Sequence, residues 1–150
     1  MERSPYNLLQ ELYWPDTWKI LVCCMLVNRT TRLQVDKVRF ELFRRWPTAE
    51  KMMNADWVDV ERVVRPLGLG TRRAKNLIRM SREFLTTDWT DPQELWGIGE
   101  YAANAYTMFV LRRKVWRPGD KFLKVYDKWW RTGQIDEVAF AESRLFNTNI

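Results

Sequence analysis

The stretch Leu95-Trp96-Gly97-Ile98-Gly99-Glu100-Tyr101-Ala102-Ala103-Asn104-Ala105-Tyr106 decides how this chain is read. Two glycines flank one apolar residue, and an alanine-rich run follows. Glycine permits a positive φ and close backbone approach. Ala102, Ala103 and Ala105 favour helix. The stretch therefore predicts a tight turn feeding a helix N-terminus, whose free amides suit a phosphate. A plain turn between two packed helices has the same signature. A dinucleotide-binding fingerprint does not fit, because no strand precedes the turn and no third glycine follows.

Outward from this turn, the chain is punctuated by caps and breakers. Ser4-Pro5 predicts a helix over 5–13 with Leu8, Leu9 and Leu12 inward, and Trp14-Pro15 breaks it. Asp16 caps an apolar helix over 17–27, the central buried element. Asn28-Arg29-Thr30-Thr31 is a polar turn. Val35, Val38, Leu42, Phe43 and Trp46 recur at helical period over 32–46. Thr48 caps a short helix through Met53. Asp56 caps another, with Trp57, Val60, Val63 and Val64 on one face. Leu67-Gly68-Leu69-Gly70 is a second glycine turn, feeding a helix with Ala74, Leu77, Ile78, Phe84 and Leu85 inside. Asp91-Pro92 opens a short turn before Gly97, and the helix after Gly99 runs to about residue 113. Asp120 opens a last firm helix, with Phe122, Val125, Tyr126 and Trp129 inward, ending at Gly133. Residues 136–150 are a tail that adds a turn or two of helix or frays. The fold class is all-α, with no strand pair, repeat or linker.

Composition narrows the chemistry. The chain has 150 residues, a net charge of +6 and no histidine, which removes His-based metal sites and Ser-His or Cys-His catalysis. Its two cysteines, Cys23 and Cys24, are adjacent in an apolar run and lack zinc or iron–sulfur spacing. Eight basic residues face two acidic ones from Arg112 to Arg131, and five face none from Arg72 to Arg82. Two basic runs in one small domain point to nucleic acid. No secretory signal is visible, and the apolar run at 20–27 is too short to span a bilayer.

A helix, a Leu-x-Gly-Ile-Gly turn, a helix and then Asp120, twenty-one residues after Gly99, resemble the helix-hairpin-helix DNA glycosylase superfamily. Within it the chain is similar to the thymine/uracil mismatch glycosylase domains of methyl-CpG-binding-domain proteins. The resemblance covers about residues 3–131. It is carried by Arg3 to Glu11, Leu26 to Thr30, Ala55-Asp56-Trp57, Arg65 to Leu69, Arg73-Ala74-Lys75, the hairpin, and Asp120 to Trp130. It implies a two-lobed helical fold with the active site in the cleft between lobes. The glycosylase domain would be 1–135. Its N- and C-terminal segments form one lobe; about 30–112, with the hairpin at 95–101, form the other; and 136–150 are the tail.

The resemblance implies the following roles. Asp120 is the catalytic carboxylate; as plain chemistry, Pro-Gly-Asp before an apolar helix is also an ordinary N-cap. Arg29 is a plug entering the duplex, or a helix C-terminal cap. Leu69 is a wedge on the opposite strand, or a core contact. Gln10 and Tyr101 form the base pocket, or are an exposed helix Gln and a packed Tyr. Gly97, Gly99 and Lys121 hold the DNA backbone. Bifunctional members of the family place a Schiff-base lysine two residues after the last hairpin glycine. Here that residue is Tyr101, which implies a monofunctional enzyme. Phe122 stands where relatives have a lysine, and acidic Glu100 follows Gly99; both departures bear on DNA affinity. The implied protein is a monomer acting on double-stranded DNA with a G·T or G·U mismatch. It needs no metal, iron–sulfur cluster or other cofactor, with room for a monovalent cation at the hairpin. It has no membrane partner, and it is nuclear in a eukaryote, otherwise cytoplasmic, and not secreted. The competing readings are a glycosylase for an oxidised or mispaired purine, and a non-catalytic DNA-binding module.

Overall fold

The structure is a computed structural model describing residues 1–115 and 118–147. Among these residues it is all helical. The helices are α1 (Leu9–Tyr13), α2 (Thr17–Leu26), α3 (Arg32–Arg45), α4 (Ala49–Met53), α5 (Trp57–Val64), α6 (Gly70–Thr86), α7 (Glu100–Ala105), α8 (Lys121–Thr132) and α9 (Glu137–Asn147). Single 3-10 turns occupy Arg65–Leu67 and Pro92–Glu94.

The starts of these helices follow local chemistry. Asp16, Thr31, Thr48 and Asp120 each accept the amide three residues on, and Asp56 and Asp91 the amide two residues on. Each such cap contributes about 1 kcal/mol. α2 is the axis of the packing. Ile20, Leu21, Val22 and Cys23 are fully buried, and α1, α6 and α7 pack around it. Trp18 donates from Nε1 to the buried Ser81 hydroxyl at 2.9 Å, which ties α2 to α6. On its other side α6 packs against α4 and α5.

Several expectations are corrected. The first helix begins at Leu9, not Pro5. The buried Glu11 carboxylate accepts the amides of Ser4 (2.6 Å) and Leu8 (2.8 Å) and the Ser4 hydroxyl (2.8 Å), which holds 4–8 as a loop. Trp57 is exposed, its ring carrying the Lys75 ammonium at 4.7 Å. Leu85 is exposed near the end of α6. In α8 the fully buried pair is Leu123 and Tyr126, while Phe122, Val125 and Trp129 are half-buried. The helix after Gly99 ends earlier than residue 113. It closes in a π turn, Tyr106–Val110, with the Leu111 amide bonded to the Tyr106 carbonyl. Arg112 then takes a left-handed φ of 54° and donates to the Tyr126 hydroxyl at 2.8 Å.

Beyond α8, residues 137–147 form a packed helix. Ala139 and Ser143 are buried, and the Asp136 amide donates to the Tyr6 hydroxyl at 2.9 Å. The N-terminal loop therefore meets the segment that leads into α9.

The two hairpin glycines differ. Gly97 has φ +79°, and a Cβ there would lie 3.1 Å from the Met25 methyl. Gly99 has φ −100° and open space where a Cβ would go. Only Gly97 is demanded by the fold. Gly97→Ala should therefore cost about 1 kcal/mol more than Gly99→Ala, the penalty of a left-handed conformation for an L-residue. Thermal or urea melting of the two variants checks this; equal losses would contradict it.

Candidate active site

One cleft of about 1060 Å³ gathers most of the residues singled out in the sequence. Its walls include Gln10 from α1, Arg29 after α2, Leu69 before α6, Gly97 and Gly99 of the hairpin, Tyr101 of α7, and Asp120 at the start of α8. Phe122 and Glu100 also line it. Lys121 does not; it pairs with Glu142 of α9. Arg117, one of the basic residues between Arg112 and Arg131, lies outside the described residues.

The floor of the cleft is a hydrogen-bonded pair. Gln10 is only 3% exposed, so it is not a surface helix glutamine. Its Nε2 donates to the Tyr101 hydroxyl at 2.8 Å and to Cys24 Sγ at 3.5 Å. Those two bonds use both donors of the amide. No hydrogen bond reaches Gln10 Oε1 among the described residues. Tyr101, accepting from Gln10, keeps its own proton to donate. Burial pushes its phenol well above the usual tyrosine range, and the negative charge of Asp120 adds to the rise. The Cys24 thiol is likewise pushed up, to about 12, chiefly by burial. It is therefore a neutral packing group rather than a nucleophile. Cys23 is shifted the same way.

Asp120 does two things at once. Oδ2 accepts the Leu123 amide at 3.0 Å and caps α8. Oδ1 accepts no hydrogen bond among the described residues. The carboxylate thus keeps one oxygen available while its orientation is fixed by the helix.

The two loop residues are both in left-handed backbone, Arg29 at φ 59° and Leu69 at φ 51°. Leu69 is 58% exposed, so it is not a core contact. Arg29 is exposed, and its side chain makes no cap to α2 among the described residues. Left-handed conformations cost side-chain-bearing residues free energy and mark places where the surroundings hold the chain.

Two features of α6 were not legible beforehand. First, its cations are mostly engaged. Lys75 lies over Trp57, Arg79 lies 3.6 Å over the Trp96 ring and bonds Glu83, and Arg73 bonds three backbone carbonyls. Second, α6 holds the hairpin. Glu83 accepts the Trp96 amide at 2.9 Å, and Asn76 accepts the Trp96 indole at 2.8 Å. Nothing in the local pattern announces such long-range bonds. Among the described residues, no cluster of three or more Cys, Asp or Glu could hold a metal ion.

The raised Tyr101 phenol gives a pH prediction. An acid whose pKa rises on folding stays protonated through its ordinary range, so Tyr101 should contribute no tyrosinate near pH 10. Subtracting a Tyr101→Phe titration at 295 nm from the wild-type one should leave no step there. A step of one tyrosine's amplitude would contradict the buried geometry.

The same arrangement of helices has known counterparts. Residues 22–142 match the HhH-GPD superfamily base excision DNA repair protein family. The chain is 39% identical over 127 residues to a methyl-CpG-binding domain protein 4-like protein of Arabidopsis thaliana, covering 83% of this chain and 28% of that protein. It is 32% identical over 105 residues to a thymine-DNA glycosylase of Aeropyrum pernix, covering 63% of this chain and 47% of the other. The chain thus spans between about a quarter and a half of the length of these curated relatives. A solved structure of a thermostable thymine-DNA glycosylase shares the fold, with a TM-score of 0.63 and 19% identity over 77% of this chain and 54% of that one. With the family match running from within α2 into α9, the chain belongs to the HhH-GPD superfamily of base excision DNA repair proteins.

Proposed function

We propose that this chain is a monofunctional DNA glycosylase that excises thymine or uracil mispaired with guanine and leaves an intact abasic site. The observation that carries the reading is the convergence, on one cleft, of a half-committed carboxylate, a neutral Tyr–Gln pair and two exposed left-handed residues. The names of the relatives support the substrate class.

On this reading the target nucleotide leaves the stack and enters the cleft. Arg29 fills the vacated position and Leu69 parts the opposite strand. The amides around Gly97 and Gly99 hold the backbone, with Lys121 contributing once it leaves Glu142. A thymine or uracil edge presents carbonyl acceptors and one N–H donor. The Tyr101 hydroxyl donates to a carbonyl, and Gln10 Oε1 accepts from the N–H. As the N-glycosidic bond lengthens, its electron pair leaves with the base and positive charge builds on the sugar. Asp120 stabilises that charge and either activates water or attacks C1′ through the free oxygen. Tyr101 offers no amine for a Schiff base, so the strand stays intact. The protein acts as a monomer on duplex DNA, in the nucleus of a eukaryote or the cytoplasm otherwise. It requires no cofactor, and a monovalent cation at the hairpin is compatible with this reading.

Labelled duplexes carrying G·T, G·U, 8-oxoguanine or A·G test this directly. G·T and G·U strands should break only after alkali. Breakage without alkali contradicts the monofunctional assignment, and cleavage of the purine lesions moves the substrate class. Retained binding without excision of any duplex leaves a non-catalytic module. Asn caps a helix as well as Asp does. Asp120→Asn should therefore keep its melting temperature while losing about a hundredfold or more in excision rate. Activity that survives removes Asp120 from the chemistry.

A further inference from the structure

We propose that Arg73 is a positioning residue that locks the Arg29 and Leu69 loops together, so that plug and wedge meet DNA as one rigid unit. The proposal rests on the glycosylase reading above. From the first turn of α6, Arg73 donates through Nε to the Gly68 carbonyl at 2.8 Å and through Nη2 to the Asn28 carbonyl at 3.0 Å. A longer bond of 3.4 Å runs from Nη1 to the Met25 carbonyl in the last turn of α2. Gly68 and Asn28 are the residues immediately before Leu69 and Arg29.

The placement matters because neither probe is anchored by its own side chain. Leu69 and Arg29 are both exposed, and both sit in left-handed backbone. Their directions are set by the peptide units on either side. Among the described residues, Arg73 is the side chain that hydrogen-bonds the carbonyls preceding both. A guanidinium is planar, with donors in fixed directions, so two bonds from one fork fix the spacing of two loops. A lysine ammonium is a point donor and cannot reproduce that span. Carbonyls near the C-terminal end of α2 also favour a cation. With bonds from all three of its nitrogens made to backbone carbonyls, Arg73 serves as a brace, and it also lines the cleft.

Extrusion needs the plug on one strand and the wedge on the other to arrive at the same base pair. Loops free to move separately would still bind DNA through backbone contacts, but would lose the preference for a vacated position. The readout is therefore a ratio: affinity for a duplex with an abasic site over affinity for the intact duplex, measured by fluorescence anisotropy. Arg73→Lys is compared with wild type, and again in an Arg29→Ala, Leu69→Ala background, with melting curves for each.

Arg73→Lys should lower the ratio about tenfold in the wild-type background and less than about twofold where both probes are already gone, a coupling typical of groups in one network. Arg73→Gln serves if the lysine variant does not fold. A ratio unchanged by Arg73→Lys overturns the proposal. So does an equal weakening on both duplexes accompanied by a lower melting temperature, which marks a merely structural role. If wild type shows no preference for the abasic duplex and excises nothing, the glycosylase reading falls and takes the coupling with it. If wild type prefers the abasic duplex through Arg29 and Leu69 but ignores Arg73, only the coupling falls.

Discussion

The hydrogen bond from Gln10 to Tyr101 is the constraint on which the site depends. It joins residues 91 positions apart, α1 at one end of the chain to α7 beyond the hairpin. The entropic cost of closing so long a loop grows only slowly with its length, and α2, packed between the two helices, covers it by burial. The bond is formed in a nearly dry place. There an unpaired amide would cost about 1–3 kcal/mol, so the pair holds a single geometry. Glu11 supports it from behind. Its carboxylate collects Ser4 and Leu8, folds the N-terminal loop back, and thereby sets where Gln10 emerges from α1. Burial raises the Glu11 pKa above its ordinary value despite these bonds. The carboxylate is kept for its geometry, at a cost in stability that grows as pH rises through the raised range.

Charge is distributed differently from what the net value suggests. A chain at +6 with five cations along α6 invites the picture of a basic face laid on phosphates. In the structure most of those cations have duties inside the protein. Arg73 braces two loops, Lys75 covers Trp57, and Arg79 stacks on Trp96 while bonding Glu83. Exposed aromatic surface is thereby capped by cations that also lend positive potential to the same face. α6 is thus less a binding surface than a chassis: it fixes the hairpin through Glu83 and Asn76, and the loops that carry Arg29 and Leu69 through Arg73.

What was legible in the sequence was whatever short-range chemistry decides. Asp16, Thr48, Asp56, Asp91 and Asp120 cap as expected, because a cap needs only a side chain and an amide two or three residues away. The apolar period of α3 and the buried run of α2 are local in the same sense. Features set by distant partners were hidden. Ser4-Pro5 has the form of a helix start, but Glu11 outbids the helix for the Ser4 and Leu8 amides. Gln10 looks like a surface residue until Tyr101 and Cys24 are folded onto it. Trp57 and Leu85 fit the apolar face of their helices by spacing, yet each stands near a helix end and is exposed, Trp57 with the Lys75 ammonium over its ring. The gathering of site residues into one cleft followed from resemblance, since no spacing rule brings Gln10, Leu69 and Asp120 together.

On the proposed reading, Asp120 shows why cap and catalyst need not compete. A carboxylate aimed at a developing cation must not rotate, and in a flexible loop its two torsions would be free. Capping α8 removes that freedom at no cost to the second oxygen, because an N-cap needs only one acceptor. Half of the residue's capacity for hydrogen bonds maintains the fold, and the other half is left for the cleft that Asp120 lines. The helix N-terminus also contributes positive potential at the carboxylate. On that reading, the feature that makes Asp120 look like an ordinary helix start is the one that makes it usable: its orientation is stabilised before any DNA arrives.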